Sequence, residues 1–260
     1  MFRRHEETYE IRKDAVSRIL ADEANPLRRI ACVIPAGSKV LDIGAGNGLL
    51  ALVLREARGD VVIDGIEPDP HAAGLVGPNY RNFLVGPAQG FLEEIRAGDY
   101  DYVVLADVLE HLGDPLGFLR DLVGCLSERV RIVVSVPNVA FASVRLAMLN
   151  GEFDYVDSGL LERTHLRFFT LKTIRALVAG AGLNIEKLQY LRRDIFKTEI
   201  PVARRPFGFF CYAKVEKDFL SSVYQFLLVL TKVPCRTEVE TYGDAVRHPY
   251  LRYLLGTGGS

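Results

Sequence analysis

Five short apolar runs, each entering an acid, a glycine or a proline, constrain this chain more than any other feature. They are KVLDIGAG from Lys39, DVVIDGIEPDP from Asp60, NFLVGP from Asn82, DYVVLAD from Asp101 and RVRIVVSVP from Arg129. Their apolar residues are consecutive rather than alternate, the pattern of strands covered on both faces. Helical stretches such as NGLLALVLREA and DPLGFLRDLVGCL lie between them. Strands alternating in this way with helices predict an α/β fold, a doubly wound and mainly parallel sheet. The chain has 260 residues, 49% of them apolar, enough for one large domain or a domain with an appendage.

The flanks read differently. Residues 1–35 form a helical segment ended by Pro35-Ala36-Gly37, and residues 36–232 form the main domain. Within that domain, residues 138–169 break the strand–helix rhythm with aromatic and charged side chains. Asp114 suits a helix N-cap with Pro115 at the first helical position, and Thr170 suits the N-cap of LKTIRALVAGA. NIEKLQYLR and SSVYQFLLVLTK read as sixth and seventh strands. Residues 233–260 read as a polar tail with one helix around GDAVRHPYLRYLL.

Composition excludes several classes. With 32 basic and 33 acidic residues there is no global positive charge for a nucleic-acid partner, and no Asn-Pro-Pro-Tyr-type stretch follows the fourth strand. The four cysteines, at 32, 125, 211 and 235, are too dispersed for a zinc site or disulfide framework, and suit a reducing cytoplasm. The first ten residues are charged where a secretory signal would be apolar. The most apolar stretches, RIVVSVPNVAFASV and VYQFLLVLTKV, are shorter than the roughly 20 residues a membrane span needs.

LDIGAGNG places Asp42, Gly44, Gly46 and Gly48 at alternating positions. Such a loop turns sharply and lets a ligand approach the backbone. A dinucleotide fingerprint would need its third glycine at position 49, which is Leu49. The alternating spacing after an acid resembles motif I of class I S-adenosylmethionine-dependent methyltransferases. That resemblance implies S-adenosyl-L-methionine as cofactor, its amino-acid end wrapped by the loop and its ammonium met by Asp42. It implies that Glu67, 19 residues after Gly48, accepts hydrogen bonds from the ribose hydroxyls, with Pro68 beside it. Ala106 and Asp107 would lie against the methionine part. It also implies a Rossmann-like, seven-stranded sheet in the order 3-2-1-4-5-7-6, the last strand antiparallel. Pro87 stands where the family often carries an acid for the adenine amino group, which leaves backbone groups or Gln89 for that contact.

DSGLLERTHLRFFT is similar to a narrower subgroup, bacterial methyltransferases associated with glycosyl transfer in surface-polysaccharide assembly. This resemblance implies O-methylation of a sugar or small polar metabolite. Asp154, Tyr155, Asp157, Glu162, Arg163, His165 and Arg167 crowd together at the carboxyl edge of the sheet, where open α/β sheets bind ligands. Tyr155, Arg163 and Arg167 are the acceptor-binding candidates. The two guanidinium forks suit a nucleotide- or lipid-diphosphate-linked sugar; an ion pair with Asp157 or Glu162 is the structural alternative. If THLRFF is extended, His165 and Arg167 share one face and Leu166 and Phe168 the other.

Methyl transfer from a sulfonium to a hydroxyl requires alignment and removal of a proton. His111 and His165 are the candidate bases, since imidazole titrates near neutral pH. Either could instead be structural. Asp107, Glu110 and His111 also match, by type and spacing, a turn that holds a divalent metal in ubiquinone-biosynthesis O-methyltransferases. D-V-L-E-H is common in methyltransferases without metal, so no metal ligand is assigned, and Glu110 reads as a structural acid. The rival to an enzyme is a cofactor-binding accessory protein that performs no turnover.

Overall fold

The computed structural model describes residues 14–200, 215 and 218–243. A single mixed sheet organises them. β1 (Lys39–Ile43), β2 (Val62–Glu67), β3 (Phe83–Val85), β4 (Tyr102–Ala106) and β5 (Arg131–Pro137) form its parallel part. β6 (Asn184–Arg192), β7 (Val223–Thr231) and β8 (Glu238–Gly243) extend it, giving the order β3-β2-β1-β4-β5-β7-β6-β8. β7 runs antiparallel to β5 and β6, and β8 runs parallel to β6.

The sheet therefore has eight strands, not the seven expected. The eighth lies in the stretch read as a polar tail. EVETYG is short and mostly polar, as suits an edge strand, and so has no apolar run to reveal it. Polar contacts hold it instead: Gln189 donates to Glu240 at 2.7 Å, and the Arg29 guanidinium lies 3.4 Å from the centre of the Tyr242 ring. The helix expected around GDAVRHPYLRYLL falls outside the described residues, which end at 243.

The described part of the N-terminal helical segment is two helices, α1 (Ala15–Ala21) and α2 (Pro26–Val33). Asn25 separates them. Its side chain accepts from the Leu27 amide, and Pro26 opens the new helix. α3 (Leu49–Arg58), α4 (Pro70–Ala73), α5 (Leu92–Ala97), α6 (Pro115–Cys125), α7 (Ala142–Leu149) and α8 (Leu171–Gly180) complete the set. Asp114 caps α6 through the Gly117 amide, and Thr170 and Thr173 form a reciprocal capping box on α8.

Adjacent residues of each central strand feed opposite cores. Leu105 and Phe226 pack with Phe118, Leu119 and Ile174 on one face. Val104 and Leu227 pack with Ile30, Leu54 and Ile63 on the other. A third, smaller cluster joins Phe141, Val144, Leu160, Leu161, Ile195 and Ile200 beneath the irregular segment. The carboxyl ends of β1, β2, β4 and β5 share one edge with that segment.

Candidate active site

The glycine loop connects β1 to α3. The Gly44 amide donates to the Ile66 carbonyl at 2.8 Å, tying the loop to the end of β2. Gly46 sits in the left-handed region at φ 52°, and a Cβ built there would meet nothing within 4 Å. The backbone is thus bare towards an open space, and a side chain would project into it. The Gly46 amide donates to Glu67 Oε2 at 2.9 Å, while Glu67 Oε1 accepts from the Asp69 amide at 2.9 Å. Glu67 braces the loop as well as facing the site, and Pro68 beyond it is exposed. Gly48 precedes the first turn of α3.

Asp42 is buried under this loop. Its Oδ2 accepts from the Tyr80 hydroxyl at 2.7 Å. Burial pushes its carboxyl up to about 7, with Glu67 adding repulsion against the Tyr80 hydrogen bond. A cation is the natural complement of such an acid. A bare glycine loop with a buried acid beneath it and Glu67 beside it fits S-adenosylmethionine.

Ala106 ends β4, and Asp107 follows with φ 55°, a left-handed backbone that is strained for a residue with a side chain. Side chains of two other strands hold it there. Asp107 Oδ1 accepts from Ser135 Oγ at 2.8 Å and from Gln225 Nε2 at 2.5 Å. Oδ1 of Asp107 is thus tied to β5 and β7.

A tight turn at Leu109–His111 comes next. Glu110 is fully buried, and among the described residues neither of its carboxylate oxygens has a hydrogen-bond partner. Burial raises its pKa well above the usual carboxylate range. His111 and His165 meet edge-on with ring centres 4.8 Å apart. His111 Nδ1 lies 3.2 Å from the Thr164 carbonyl and 3.1 Å from the Thr164 hydroxyl. His165 Nδ1 lies 3.2 Å from the Leu160 carbonyl. Burial, and then the neighbouring His111, hold His165 below the ordinary histidine value. One donor atom each from Glu110, His111 and His165 fall within 4.8 Å of one another. In the trio considered from sequence, His165 thus takes the place of Asp107.

The expected alternation along THLRFF does not hold. His165 is buried, while Leu166 and Arg167 are both exposed. The amides of Leu166 and Arg167 converge on one carbonyl, that of Glu110, at 2.8 and 2.9 Å, which breaks the two-residue period. Tyr155, Phe153 and Phe168 form an aromatic surface leading from His165. Phe153 lies 5.6 Å from both Tyr155 and Phe168, and Phe168 lies 6.2 Å from His165. Arg163 pairs with Asp157 at 3.1 Å, both exposed, and the Arg167 guanidinium donates to the Gly113 carbonyl. Tyr80, Ser135, Gln225 and Glu199 contribute to the site without any local signal in the sequence.

A family profile described as "Methyltransferase domain" matches residues 4–188. The ubiquinone biosynthesis O-methyltransferase of Azorhizobium caulinodans is 31% identical over 198 residues, covering 74% of each chain. That of Xanthomonas axonopodis pv. citri is 27% identical over 177 residues, covering 66% of this chain and 73% of its own. Among solved structures, a SAM-dependent methyltransferase from Archaeoglobus fulgidus superposes with TM-score 0.58 at 16% identity, covering 80% of this chain and 92% of its own. The magnesium protoporphyrin IX methyltransferase of Synechocystis PCC 6803, with bound SAH, superposes with TM-score 0.53 at 14% identity, covering 86% and 89%. The chain belongs to the methyltransferase domain family and is a class I S-adenosylmethionine-dependent methyltransferase.

Proposed function

We propose that this enzyme methylates a hydroxyl of a small aromatic molecule, with His165, packed against His111, taking up the hydroxyl proton. The contact between the two imidazoles beside an aromatic surface carries this reading. S-adenosylmethionine, when bound, supplies a methyl group on a good leaving group. The protein's own residues orient the acceptor and accept its proton. His165 is depressed by burial, so it is unprotonated at neutral pH and able to act as a base. Phe153, Tyr155 and Phe168 offer edges and faces to a planar ring. The ubiquinone-biosynthesis relatives are named as O-methyltransferases, which supports the reaction type. Neither the site nor these relatives support a sugar acceptor or a polysaccharide context, because Arg163 and Arg167 are engaged by Asp157 and the Gly113 carbonyl.

Glu110 favours a second reading. A buried carboxylate without a partner is costly, and a divalent cation held by Glu110, His111 and His165 would satisfy it. Such a cation would lower the pKa of a coordinated hydroxyl. Calorimetric titration with magnesium and zinc salts, alone and in Glu110→Gln, tests it; binding that is absent or indifferent to the substitution rejects it.

The function is tested by S-adenosylhomocysteine release from the purified protein offered phenols, catechols and sugar nucleotides. Turnover with aromatic hydroxyls is expected, rising with pH to a plateau and falling by about 100-fold in His165→Ala. Turnover confined to sugar nucleotides would reject the aromatic acceptor. Cofactor binding with no turnover would favour the accessory role.

A further inference from the structure

The loop at residues 157–165 holds both imidazoles from behind. Carbonyl oxygens only accept, so the ring nitrogens facing them must donate. His165 Nδ1 therefore carries its proton towards Leu160, and His111 Nδ1 towards Thr164. Both Nε2 atoms are left with free lone pairs, the form needed whether the partner is an acceptor proton or a cation.

What fixes Leu160 lies elsewhere in the chain. Its amide donates to Glu199 Oε1 at 2.7 Å, on the stretch after β6. Glu199 is itself held by the Tyr224 hydroxyl of β7, at 3.0 and 2.9 Å to its two oxygens. The carboxylate lies over Gly159 so closely that a Cβ there would stand 2.2 Å from Glu199 Oε1. Leu160 is thus gripped on its amide by Glu199 while its carbonyl grips His165.

We propose that Glu199 is a positioning residue, which through Leu160 sets the tautomer and orientation of His165. This rests on the reading of His165 as a functional imidazole. Glu199 touches neither His165 nor the cofactor loop; it holds the Gly159–Leu160 peptide, next to the one whose carbonyl faces His165.

The test is long-range 15N–1H correlation NMR on the full-length labelled protein, with His111→Gln and His165→Gln used to assign the signals. In the wild type both imidazoles should show the Nδ1-protonated pattern. Glu199→Ala should move His165 to a mixture of tautomers and leave His111 and the calorimetric affinity for S-adenosylhomocysteine unchanged. Glu199→Gln, which can still accept from the Leu160 amide, should restore the wild-type pattern. If Glu199→Ala fails to fold, Glu199→Asp retracts the carboxylate by one carbon and is read in the same way. An Nε2-protonated His165 in the wild type overturns the proposal, as does a His165 pattern unmoved in the alanine or aspartate variant. The NMR reading needs no acceptor, so a lack of methyl transfer would count against the proposed function alone. With an acceptor in hand, kcat should fall about tenfold while KM for the cofactor holds.

Discussion

We propose that Asp42, as the acid that meets the cofactor's ammonium, couples cofactor binding to protons. Its folded value of about 7 stands above the ordinary 3.8, so between these values the folded state keeps a proton that the unfolded chain has lost. Stability from this group is therefore lost as pH rises through that window, by an amount on the order of 4 kcal/mol at most. Asp42→Asn should raise the melting temperature at pH 8, change it little at pH 4, and abolish S-adenosylhomocysteine binding. The cofactor's ammonium works the other way, favouring the carboxylate. Binding near pH 6.5 should release a proton, visible as a dependence of calorimetric heat on buffer ionisation enthalpy. That Asp42, the loop glycines and Glu67 gather at one strand edge was legible because they are close in sequence and chemically distinctive. Tyr80 was not, since nothing local tells which strand-end acid a tyrosine 38 residues away will cap. Gln225 was still less so, reaching Asp107 across 118 residues from a strand that reads as pure core. The pairing of His165 with Arg167 failed because two amides sharing one carbonyl leave no trace in residue types.

Elements read well wherever a local rule governs them. Asp114 and Pro115 announce α6, and Asp114→Ala should cost about 1 kcal/mol in denaturant unfolding without affecting turnover. The loop between β1 and α3 makes a sharper prediction. The space beside Gly46 is open but its backbone is left-handed, so Gly46→Val should lower the melting temperature through backbone strain, keep the native circular dichroism, and exclude the cofactor with its side chain. A variant that binds S-adenosylhomocysteine with unchanged affinity would displace the loop from its assigned role. β8 was illegible for the reason that makes it an edge: it is short, mostly exposed and carries no apolar run.

At the scale of the molecule, β8 covers β6, whose central residues Leu188, Gln189 and Leu191 are buried. Ending the chain after Thr237 bares that edge, takes Tyr242 from Arg29 and Glu240 from Gln189, and leaves those two side chains with each other. The truncated protein should bind cofactor with near-native affinity, since β1, β2 and β4 lie far across the sheet. It should melt at a lower temperature and associate on size exclusion, as unpaired strand edges do. Among the described residues no helix is long and apolar enough to cross a membrane.

The third apolar cluster, with Glu199 clamped onto Leu160, bears on how such enzymes change their acceptors over time. Residues 138–169 supply most of the buried side chains of that cluster, so they look like a cassette that recombination could exchange while the cofactor half is inherited unaltered. Yet the anchor for His165 is encoded downstream of that cassette, at Glu199 and, further on, Tyr224. A chimera carrying the segment alone would inherit its histidine without its hold. Lineages that trade acceptor specificity by this route must move both stretches together, or evolve the second to match the first.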